Sequence, residues 1–400
     1  MVRPVPQRIT TGFLIALAFI TASGPFATDL YLPGMPEVAR DLHTTSSLAQ
    51  LTLSAFMLGM AVGQLVIGVL SDASGRMRPM RIGAVIALIG VIMCAVAPNI
   101  TVLILARLIH GLGAGACLVV ARAMVPDIST GKETARAFTV LMMIQGIAPV
   151  IAPIAGGLLV GPVGWRGIFW TLTAIVMIQV TIAYQLPETL PKEHRGEFGV
   201  KALGRTFSSV LRNRAFCWYT VSFATLFGGF FAYISASSFV IQEQWHFGAT
   251  TFSLIFAVNA MGLILSGFVS NRLLHSFTEY QIARAGLLVL LCAGIGTSLL
   301  ALMDGPVALK IFFLFFSAAP LSLATGNITG IAVQEVPNNA GSAAAVMGFF
   351  QFVTAAAVSP LVGLGNNENL TMGICMIVGY SISVAALLTA KKISDTNTPS

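Results

Sequence analysis

Apolar runs separated by short polar connections account for most of the chain. A helix needs about 20 mostly apolar residues to cross the hydrocarbon core of a bilayer, and twelve runs of about this length occur. They lie near residues 9–30, 47–70, 80–98, 100–122, 137–160, 166–186, 216–239, 249–272, 281–302, 307–331, 341–363 and 370–390. The pattern therefore predicts an all-α membrane protein with twelve transmembrane helices.

The connection at 187–214 is long and hydrophilic, and it separates the first six runs from the last six. It is too short to enclose a hydrophobic core. We therefore predict a six-helix bundle at 1–186, a cytoplasmic linker at 187–214 and a second six-helix bundle at 215–400. A faint repeat agrees with duplication, because Gly63, Gly68, Ser71 and Asp72 recur 199 positions later as Gly262, Gly267, Ser270 and Asn271. Parallel repeats of six spans occur in one large transporter fold.

The composition excludes an ordinary soluble protein. Hydrophobic residues make up 56% of the chain and charged residues only 9%, against about 25% charged residues in average soluble domains. The net charge of +7 is therefore attributed to membrane topology and not to a nucleic-acid surface. With the N-terminus inside, 18 of the 22 Lys and Arg residues fall on the inner side and three on the outer side. This bias predicts that both termini are cytoplasmic.

An acidic residue, Asp29, lies near the outer end of the first predicted span. Ionisable residues within spans are costly and often mark ion or substrate pathways. One interpretation is a proton site, since a partly desolvated carboxylate can bind a proton near neutral pH and its loading would bias the side that a central cavity faces. The other interpretation is a helix-ending residue at the headgroups, just before Pro33 and Pro36.

Arg107 is the basic residue that lies well inside a predicted span, in the segment LARLIHGLGAG. It needs an anionic or carbonyl partner within the bundle. His110 shares its helix face, and Gly111 and Gly115 permit close approach of another helix. Arg107 either controls the protonation of a carboxylate or lines the substrate path, or it is a structural arginine that binds carbonyls of a broken neighbouring helix. His110 is either a site residue or a group that satisfies a neighbour.

A glycine-punctuated, charged connection, GVLSDASGRMR, joins the second and third predicted spans. An acid followed by two arginines in so short a hairpin suggests two helices whose contact is held and released. This segment supplies five residues of a predicted conformational lock: Gly68, Asp72, Gly75, Arg76 and Arg78.

The fifth predicted span reads GIAPVIAPIAGGLL. Prolines inside a helix remove backbone hydrogen bonds and bend it, while glycines leave a flat groove for a partner helix. The predicted gate helix therefore rests on Gly146, Pro149, Pro153, Gly156 and Gly157. The alternative is a kinked core helix with no gating role.

Aromatic residues recur at four-residue spacing in the seventh predicted span. Tyr219, Phe223, Phe227 and Phe231 form this stripe, and Tyr233 follows it. The stripe either lines a pocket for apolar aromatic compounds or faces lipid. Asn259, in the next span, is either a binding group or one half of a helix–helix hydrogen bond.

These segments together resemble the major facilitator superfamily, and more narrowly its bicyclomycin/chloramphenicol-resistance (Bcr/CflA) type of drug:proton antiporter. The resemblance covers nearly the whole chain. It rests on ATDLYLPGMP at 27–36, the second span at 50–72, GVLSDASGRMR at 68–78, LARLIHGLGAG at 105–115, GIAPVIAPIAGGLL at 146–159, GWRGIFW at 164–170, FAYISASSFVIQ at 231–242 and AGSAAAVMGFFQF at 340–352.

The resemblance implies proton-coupled efflux of amphipathic antibiotics, such as chloramphenicol or bicyclomycin, by alternating access across a bacterial inner membrane. It implies that Asp29 is the proton-responsive carboxylate and that Arg107 couples protonation to substrate. Asp72 would cap the eleventh span and pair with Arg122, and the fifth span would restrict leak. Tyr31 and His110 join the residues of spans seven and eight as candidate substrate-binding groups.

The chain departs from the family pattern at three positions. Ala73 and Met77 stand where basic residues are usual, and His110 stands where glutamine is common. These departures predict a weaker loop lock than is usual.

Other functions are less well matched. Uptake or export of a native metabolite is possible in the same fold, although the span-five motif argues against uptake. A membrane-embedded enzyme would need paired catalytic groups, and the five histidines are scattered without an HExxH motif. No cofactor and no metal are expected. The expected partners are a small amphipathic drug-like substrate, protons and the lipid bilayer, with no nucleic acid and a monomeric state.

Overall fold

The computed structural model describes residues 10–195, 204, 207–208, 210–365 and 367–397. Part of the predicted linker at 187–214 lies outside these residues. The described chain is helical, and its helices cover the predicted runs with boundaries that differ by a few residues.

Helices α1 to α6 form the first half of the chain. They are α1 Thr11–Asp29, α2 Met35–Asp41, α3 Ser46–Ser74, α4 Met77–Ala95, α5 Ile100–Ile128 and α6 Lys132–Gln185. The second half contains α7 Arg214–Phe239, α8 Ala249–Leu273, α9 Glu279–Leu302, α10 Val307–Phe316, α11 Leu321–Gln334, α12 Ala340–Val362 and α13 Glu368–Asn397. Short 3-10 helices lie at Leu32–Gly34, Lys192–His194 and Pro337–Asn339, and a π-helical turn lies at Val240–Gln244.

Side-chain caps define where several helices begin. Thr10 accepts a hydrogen bond from the Phe13 amide at the start of α1, and Asn99 does the same for the Val102 amide at the start of α5. Such caps satisfy backbone N–H groups that have no partner within the helix. The polar residue before each apolar run therefore fixes the point at which the helix starts.

Eleven stretches of the described residues are long and apolar enough to cross a membrane. One of them, Arg136–Gln185, has 50 residues, more than twice the ~20 needed for one crossing. It contains Gly164, whose backbone is not helical (φ 65°, ψ 179°). This break falls between the runs predicted at 137–160 and 166–186.

The span predicted at 307–331 is confirmed as one apolar stretch, Val307–Gln334, but it is not one continuous helix. The helix is interrupted between Phe316 and Leu321, where Pro320 precedes the first residue of α11. Proline has no N–H to donate to the preceding turn. The helical run ends at Phe316 and starts again at Leu321, directly after the proline.

The chain divides into two compact units. The first comprises Met1–Leu42 and Ala55–Gly204, and the second comprises His43–Ser54 and Arg205–Ser400. The start of α3 belongs to the second unit, where the Ser47 hydroxyl donates to the Pro360 carbonyl at 3.0 Å and the Ser359 hydroxyl donates to the Gln50 carbonyl at 3.1 Å.

Glycines bring the backbones of α3 and α5 into contact in the first unit. A Cβ atom at Gly111 would overlap the carbonyl oxygen of Phe56, and one at Gly115 would overlap the carbonyl oxygen of Met60. A Cβ atom at Gly59 of α3 would meet the α5 backbone in the same way. The close helix approach predicted from Gly111 and Gly115 is confirmed.

We expect Gly111→Ala to lower the free energy of unfolding by about 1–3 kcal/mol, because overpacking a tight contact displaces backbone. Thermal unfolding of the detergent-purified protein measures this change. Gly326→Ala is the control, since no atom lies within 4 Å of its Cβ position and alanine favours a helix. Equal unfolding temperatures for Gly111→Ala and the unmodified protein would contradict the role assigned to this contact.

Candidate functional site

Arg107 caps the C-terminal end of α1. Its side chain is fully buried, and its Nη1 atom donates to the Ala27 carbonyl oxygen at 3.0 Å. Ala27 is among the last four residues of α1, whose carbonyls lack the usual helical partner, and a cation at a helix C-terminus is favoured by the helix dipole. An anion or a carbonyl group was predicted as the partner of Arg107, and the described residues provide a carbonyl group.

Three aromatic rings surround the Arg107 guanidinium. The Cζ atom lies 4.3 Å from the centroid of the Phe56 ring, 5.2 Å from that of Tyr31 and 5.8 Å from that of Phe169. Cation–π attraction stabilises a guanidinium held this way. The Nε and Nη2 atoms make no hydrogen bond within the described residues. The buried cation thus keeps donors that an anion or a carbonyl group could use.

His110 lies close to this cluster. It is buried, and its ring meets the Phe56 ring edge-on, with centroids 5.1 Å apart. Its Nδ1 atom has no hydrogen-bond partner within the described residues. His110 therefore shares Phe56 with Arg107, one turn along the same helix.

Asp29 is the last residue of α1 and is only 6% exposed. It comes two residues after Ala27, so it belongs to the helix end that Arg107 caps. The described residues provide no ion pair or hydrogen bond for its carboxyl group. Asp29 and Arg107 therefore belong to the same end of α1 without pairing directly, and the Arg107 Nη1 atom donates to the Ala27 carbonyl.

The predicted gate helix packs against the same end of α1. A Cβ atom at Gly156 would overlap the carbonyl oxygen of Leu30, and Pro153 and Gly157 are buried beside it while Gly146 and Pro149 are half-buried. The backbone stays helical at both prolines, since Gly164 is the non-helical residue within α6. The flat surface predicted for Gly156 is confirmed, and its neighbour is α1.

The charged loop after α3 forms a network around Arg76. Both oxygens of Asp127 accept from Arg76, at 2.8 and 3.1 Å, while Asp72 and Ser71 accept from its Nη1 atom at 2.5 and 2.9 Å. Burial acts to lower the pKa of Arg76, but the hydrogen bonds and charges of Asp127 and Asp72 outweigh it and hold that pKa above its usual value. Arg76 therefore remains a cation at physiological pH.

The predicted pairing of Asp72 with Arg122 is wrong for this structure. The turn at Gly75, with φ 94°, brings Arg76 back onto Asp72 four residues earlier. Arg122 instead donates to the Gln145 side chain at 3.2 Å. Arg78 is exposed and lies outside the network, whereas a Cβ atom at Gly68 would lie 3.4 Å from the Val119 side chain.

Glu188 and Asp127 are functional candidates that the sequence analysis missed. The Glu188 carboxylate accepts from the backbone amides of Arg76 at 2.8 Å and Met77 at 3.2 Å, which caps the N-terminus of α4. Thr189 donates its hydroxyl to Asp127 at 2.8 Å. The available signal was an acid close after a span, in the segment PETL, and another at the end of the fourth span.

The aromatic stripe of α7 is turned toward protein in the second unit. Tyr219, Phe223, Phe231 and Tyr233 are all at most 9% exposed, so the lipid-facing interpretation is wrong for these four residues. Phe227 is half-buried and lies 6.3 Å from Phe231 and 6.2 Å from Phe352 between ring centroids. The Asn259 Nδ2 atom donates to the Tyr233 hydroxyl at 2.9 Å, which confirms the helix–helix hydrogen bond.

Long apolar helices, a buried arginine that caps a broken helix end and a buried acid beside it define a polytopic membrane transport protein. Residues 17–360 match the profile of the Major Facilitator Superfamily. The chain belongs to this superfamily.

Relatives and one solved structure agree with this assignment. An uncharacterized MFS-type transporter, YdgK, of Bacillus subtilis is 34% identical and covers 93% of each chain. A bicyclomycin resistance protein homolog of Haemophilus influenzae is 25% identical over 97% of this chain and 98% of its own. The crystal structure of the nucleoside transporter NupG superposes with a TM-score of 0.74 at 13% identity, covering 95% and 98% of the two chains, which supports the fold alone.

Proposed function

We propose that the protein exports amphipathic, drug-like small molecules across the cytoplasmic membrane of a bacterium in exchange for protons. The observation that carries this proposal is the Asp29 carboxyl, buried at 6% exposure and unpaired among the described residues, in a member of a transporter superfamily. The bicyclomycin-resistance relative, aligned over nearly the whole chain, supports a drug-like cargo. The partners are the solute, protons and the bilayer, and the working unit is a monomer.

Twelve crossings with both termini in the cytoplasm are part of this proposal. Gly164 divides α6 into two segments that are each long enough to span, which raises the eleven apolar stretches to twelve. An even number of crossings returns the chain to the side from which it started. The excess of basic residues on the predicted inner connections supports a cytoplasmic position for that side, and the proposed bundles at 1–186 and 215–400 alternate access to the substrate.

Asp29 is the proton carrier in this mechanism. Its carboxyl ends α1, two residues beyond the carbonyl that Arg107 binds. A proton bound from outside removes a negative charge at the helix end that Arg107 caps, and release inside restores it. Each proton that enters contributes about 2.3 kcal/mol per 100 mV of membrane potential, which drives export of the solute.

Solute contacts are assigned to residues near the buried charges and along α7. Tyr31 and His110 border the Arg107 cluster in the first unit. The remaining proposed substrate-binding residues are Tyr219, Phe223, Phe227, Phe231, Tyr233 and Asn259 in the second unit. Their aromatic surfaces suit apolar, weakly polar solutes.

The network around Arg76 is the proposed cytoplasmic lock. Asp72 is the exposed member of the network, with a 63% exposed side chain, and can therefore exchange partners. Asp127 and Glu188 hold the rest of the loop in place. The proposed gate comprises Gly146, Pro149, Pro153, Gly156 and Gly157 of α6, and the contact of Gly156 with the end of α1 supports it.

Inverted membrane vesicles test the proposed function directly. In vesicles that contain the protein, an imposed inward-acid gradient should drive uphill accumulation of chloramphenicol, and a protonophore should collapse it. Vesicles without the protein are the control. The export proposal would be contradicted if no drug of a panel accumulated and if the gradient instead drove a metabolite out of the vesicles. That result would favour uptake of a native metabolite.

A further inference from the structure

Two neighbouring helices of the second unit, α9 and α13, have no role in the mechanism above. They pack closely, since a Cβ atom at Gly294 of α9 would lie 3.3 Å from the Met376 Cβ atom of α13. Toward the other end of the pair, the Lys391 Nζ atom lies 5.9 Å from the centroid of the Tyr280 ring. The residue numbers rise along one helix as they fall along the other, so the two helices are antiparallel. We call their line of contact the α9–α13 seam.

One face of each helix is exposed along most of its length. The exposed positions between 285 and 302 and between 374 and 388 carry no acidic or basic side chain. Large apolar residues on these faces include Leu288, Ile295 and Leu302 of α9 and Val378, Ile382 and Leu388 of α13. The α9 face is roughly 26 Å long, close to the ~30 Å hydrocarbon core of a bilayer. A surface of this length and composition favours acyl chains over water, so it faces lipid.

The two exposed faces lie on the same side of the pair. On each helix the exposed positions are turned about 100° around the axis from the positions that form the contact. The turn has the same sense on both helices when each is viewed from its own N-terminus. Because the helices are antiparallel, equal turns bring both faces to one side and form a continuous surface along the seam.

Basic residues end both faces at the same end of the seam. The exposed face of α9 continues past residue 285 to Arg284, and that of α13 continues past residue 388 to Lys392. The contact between Lys391 and Tyr280 fixes the register there, and it separates the Cα atoms of Arg284 and Lys392 by roughly 8 Å along the helix axes. Two long side chains can therefore reach one group between them.

The charge of this end is not cancelled by neighbouring acids. Lys391 pairs with Asp395 at 2.5 Å, and the half-buried Glu279 is the first residue of α9. Arg284 and Lys392 make no ion pair or hydrogen bond with any residue that the structure describes. Two exposed cations thus lie directly beyond an apolar, lipid-facing surface.

We propose that the α9–α13 seam binds an anionic phospholipid, with the acyl chains along the exposed faces and the phosphate between Arg284 and Lys392. Basic side chains at the end of a span extend their charged groups toward the membrane surface, where lipid phosphates lie. Basic pockets between transmembrane helices on the cytoplasmic side are typical of sites for phospholipid head groups, and this end is cytoplasmic in the topology proposed above.

A second copy of the chain is a poorer match for the same surface. A two-fold axis normal to the membrane would bring the same end of both seams together. Arg284 and Lys392 of one copy would then face the same two cations of the other. A phosphodiester supplies the opposite charge, and its acyl chains cover the apolar faces.

Native mass spectrometry of the full-length protein in detergent tests this site. The probes are phosphatidylglycerol and phosphatidylcholine with identical acyl chains, and the choline group of the second lipid offsets its phosphate charge. We expect the first phosphatidylglycerol to bind with a Kd about 25-fold lower than that of phosphatidylcholine, because each basic residue near an anionic head group contributes about fivefold. The measurement needs neither transport nor a defined sidedness, so it is independent of the export proposal.

Charge-removing substitutions locate the site. Arg284→Gln and Lys392→Gln should each weaken phosphatidylglycerol binding about fivefold, and the double variant should bind both lipids equally. Both side chains are exposed, so the helices keep their packing. Arg136→Gln is the matched control, because Arg136 is an exposed arginine of α6 in the first unit, and it should leave the preference unchanged.

A phosphatidylglycerol that carries a diazirine in one acyl chain shows where the lipid lies, and its adducts should fall on peptides of α9 and α13. Adducts confined to other helices, or equal affinity of the unmodified protein for the two lipids, would overturn the proposal. Binding of glycerol 3-phosphate at the same concentration would also overturn it, since a site for free phosphate needs no acyl chains. A dimer that excludes lipid from the seam would assign the surface to a second copy instead.

Discussion

Asp29→Asn is expected to abolish uphill, proton-driven export of chloramphenicol while the protein still inserts and folds. Asparagine has nearly the shape of aspartic acid but has no carboxyl group to take up and release a proton. Within the described residues the Asp29 side chain makes no hydrogen bond or ion pair that the change would break. Uptake by inverted vesicles under an acid-inside gradient should fall to the level of vesicles without the protein.

Asp304→Asn is the matched control for this experiment. Asp304 is exposed, and it pairs with Lys310 at 2.9 Å. Its φ of 45° is one that asparagine adopts readily. This variant should export at the normal rate. Proton-driven export that survives in Asp29→Asn would place the coupling carboxylate elsewhere in the chain.

Asp127→Ala should lower the free energy of unfolding by about 3–5 kcal/mol, the cost of removing one partner of a buried ion pair. Asp127 binds Arg76 through both carboxylate oxygens, and the two side chains are 9% and 7% exposed. Arg76 cannot relieve the loss by giving up its proton, because a guanidinium stays protonated in proteins. Because Asp72 still holds Arg76, the lower end of this range is expected.

Asp72→Ala removes the other carboxylate of the same network and is the natural comparison. Its side chain is 63% exposed, and ion pairs in contact with water contribute about 0–1 kcal/mol. Unfolding in detergent, followed by temperature or denaturant, should therefore separate the two variants clearly. Similar losses for both would mean that Asp127 does not anchor the loop.

The helices were predictable because a helix that crosses a bilayer needs about 20 mostly apolar residues. Length and hydropathy located the spans, and the break at Gly164 fell between the runs predicted at 137–160 and 166–186. The polar residues that cap α1 and α5 are also local signals. The interruption at Pro320 was missed because the surrounding residues are apolar enough to look continuous.

The partners of charged residues were much harder to predict. Arg107 had a carboxylate and a carbonyl as alternatives, and the choice depended on where α1 ends relative to α5. Glu188 reaches the start of α4 across more than a hundred positions of sequence, and no local pattern encodes such a contact. The orientation of the α7 stripe could not be predicted for another reason, because phenylalanine is favourable both in lipid and in a protein core.

The Glu188 cap determines where a protein fragment that contains only the first half of the chain can end. A fragment that stopped at Leu186 would leave the opening amides of α4 without their carboxylate acceptor and Asp127 without the Thr189 hydroxyl. The shortest self-sufficient N-terminal fragment must therefore run through Thr189, so the first stretch of the connecting peptide is structurally part of the half that precedes it.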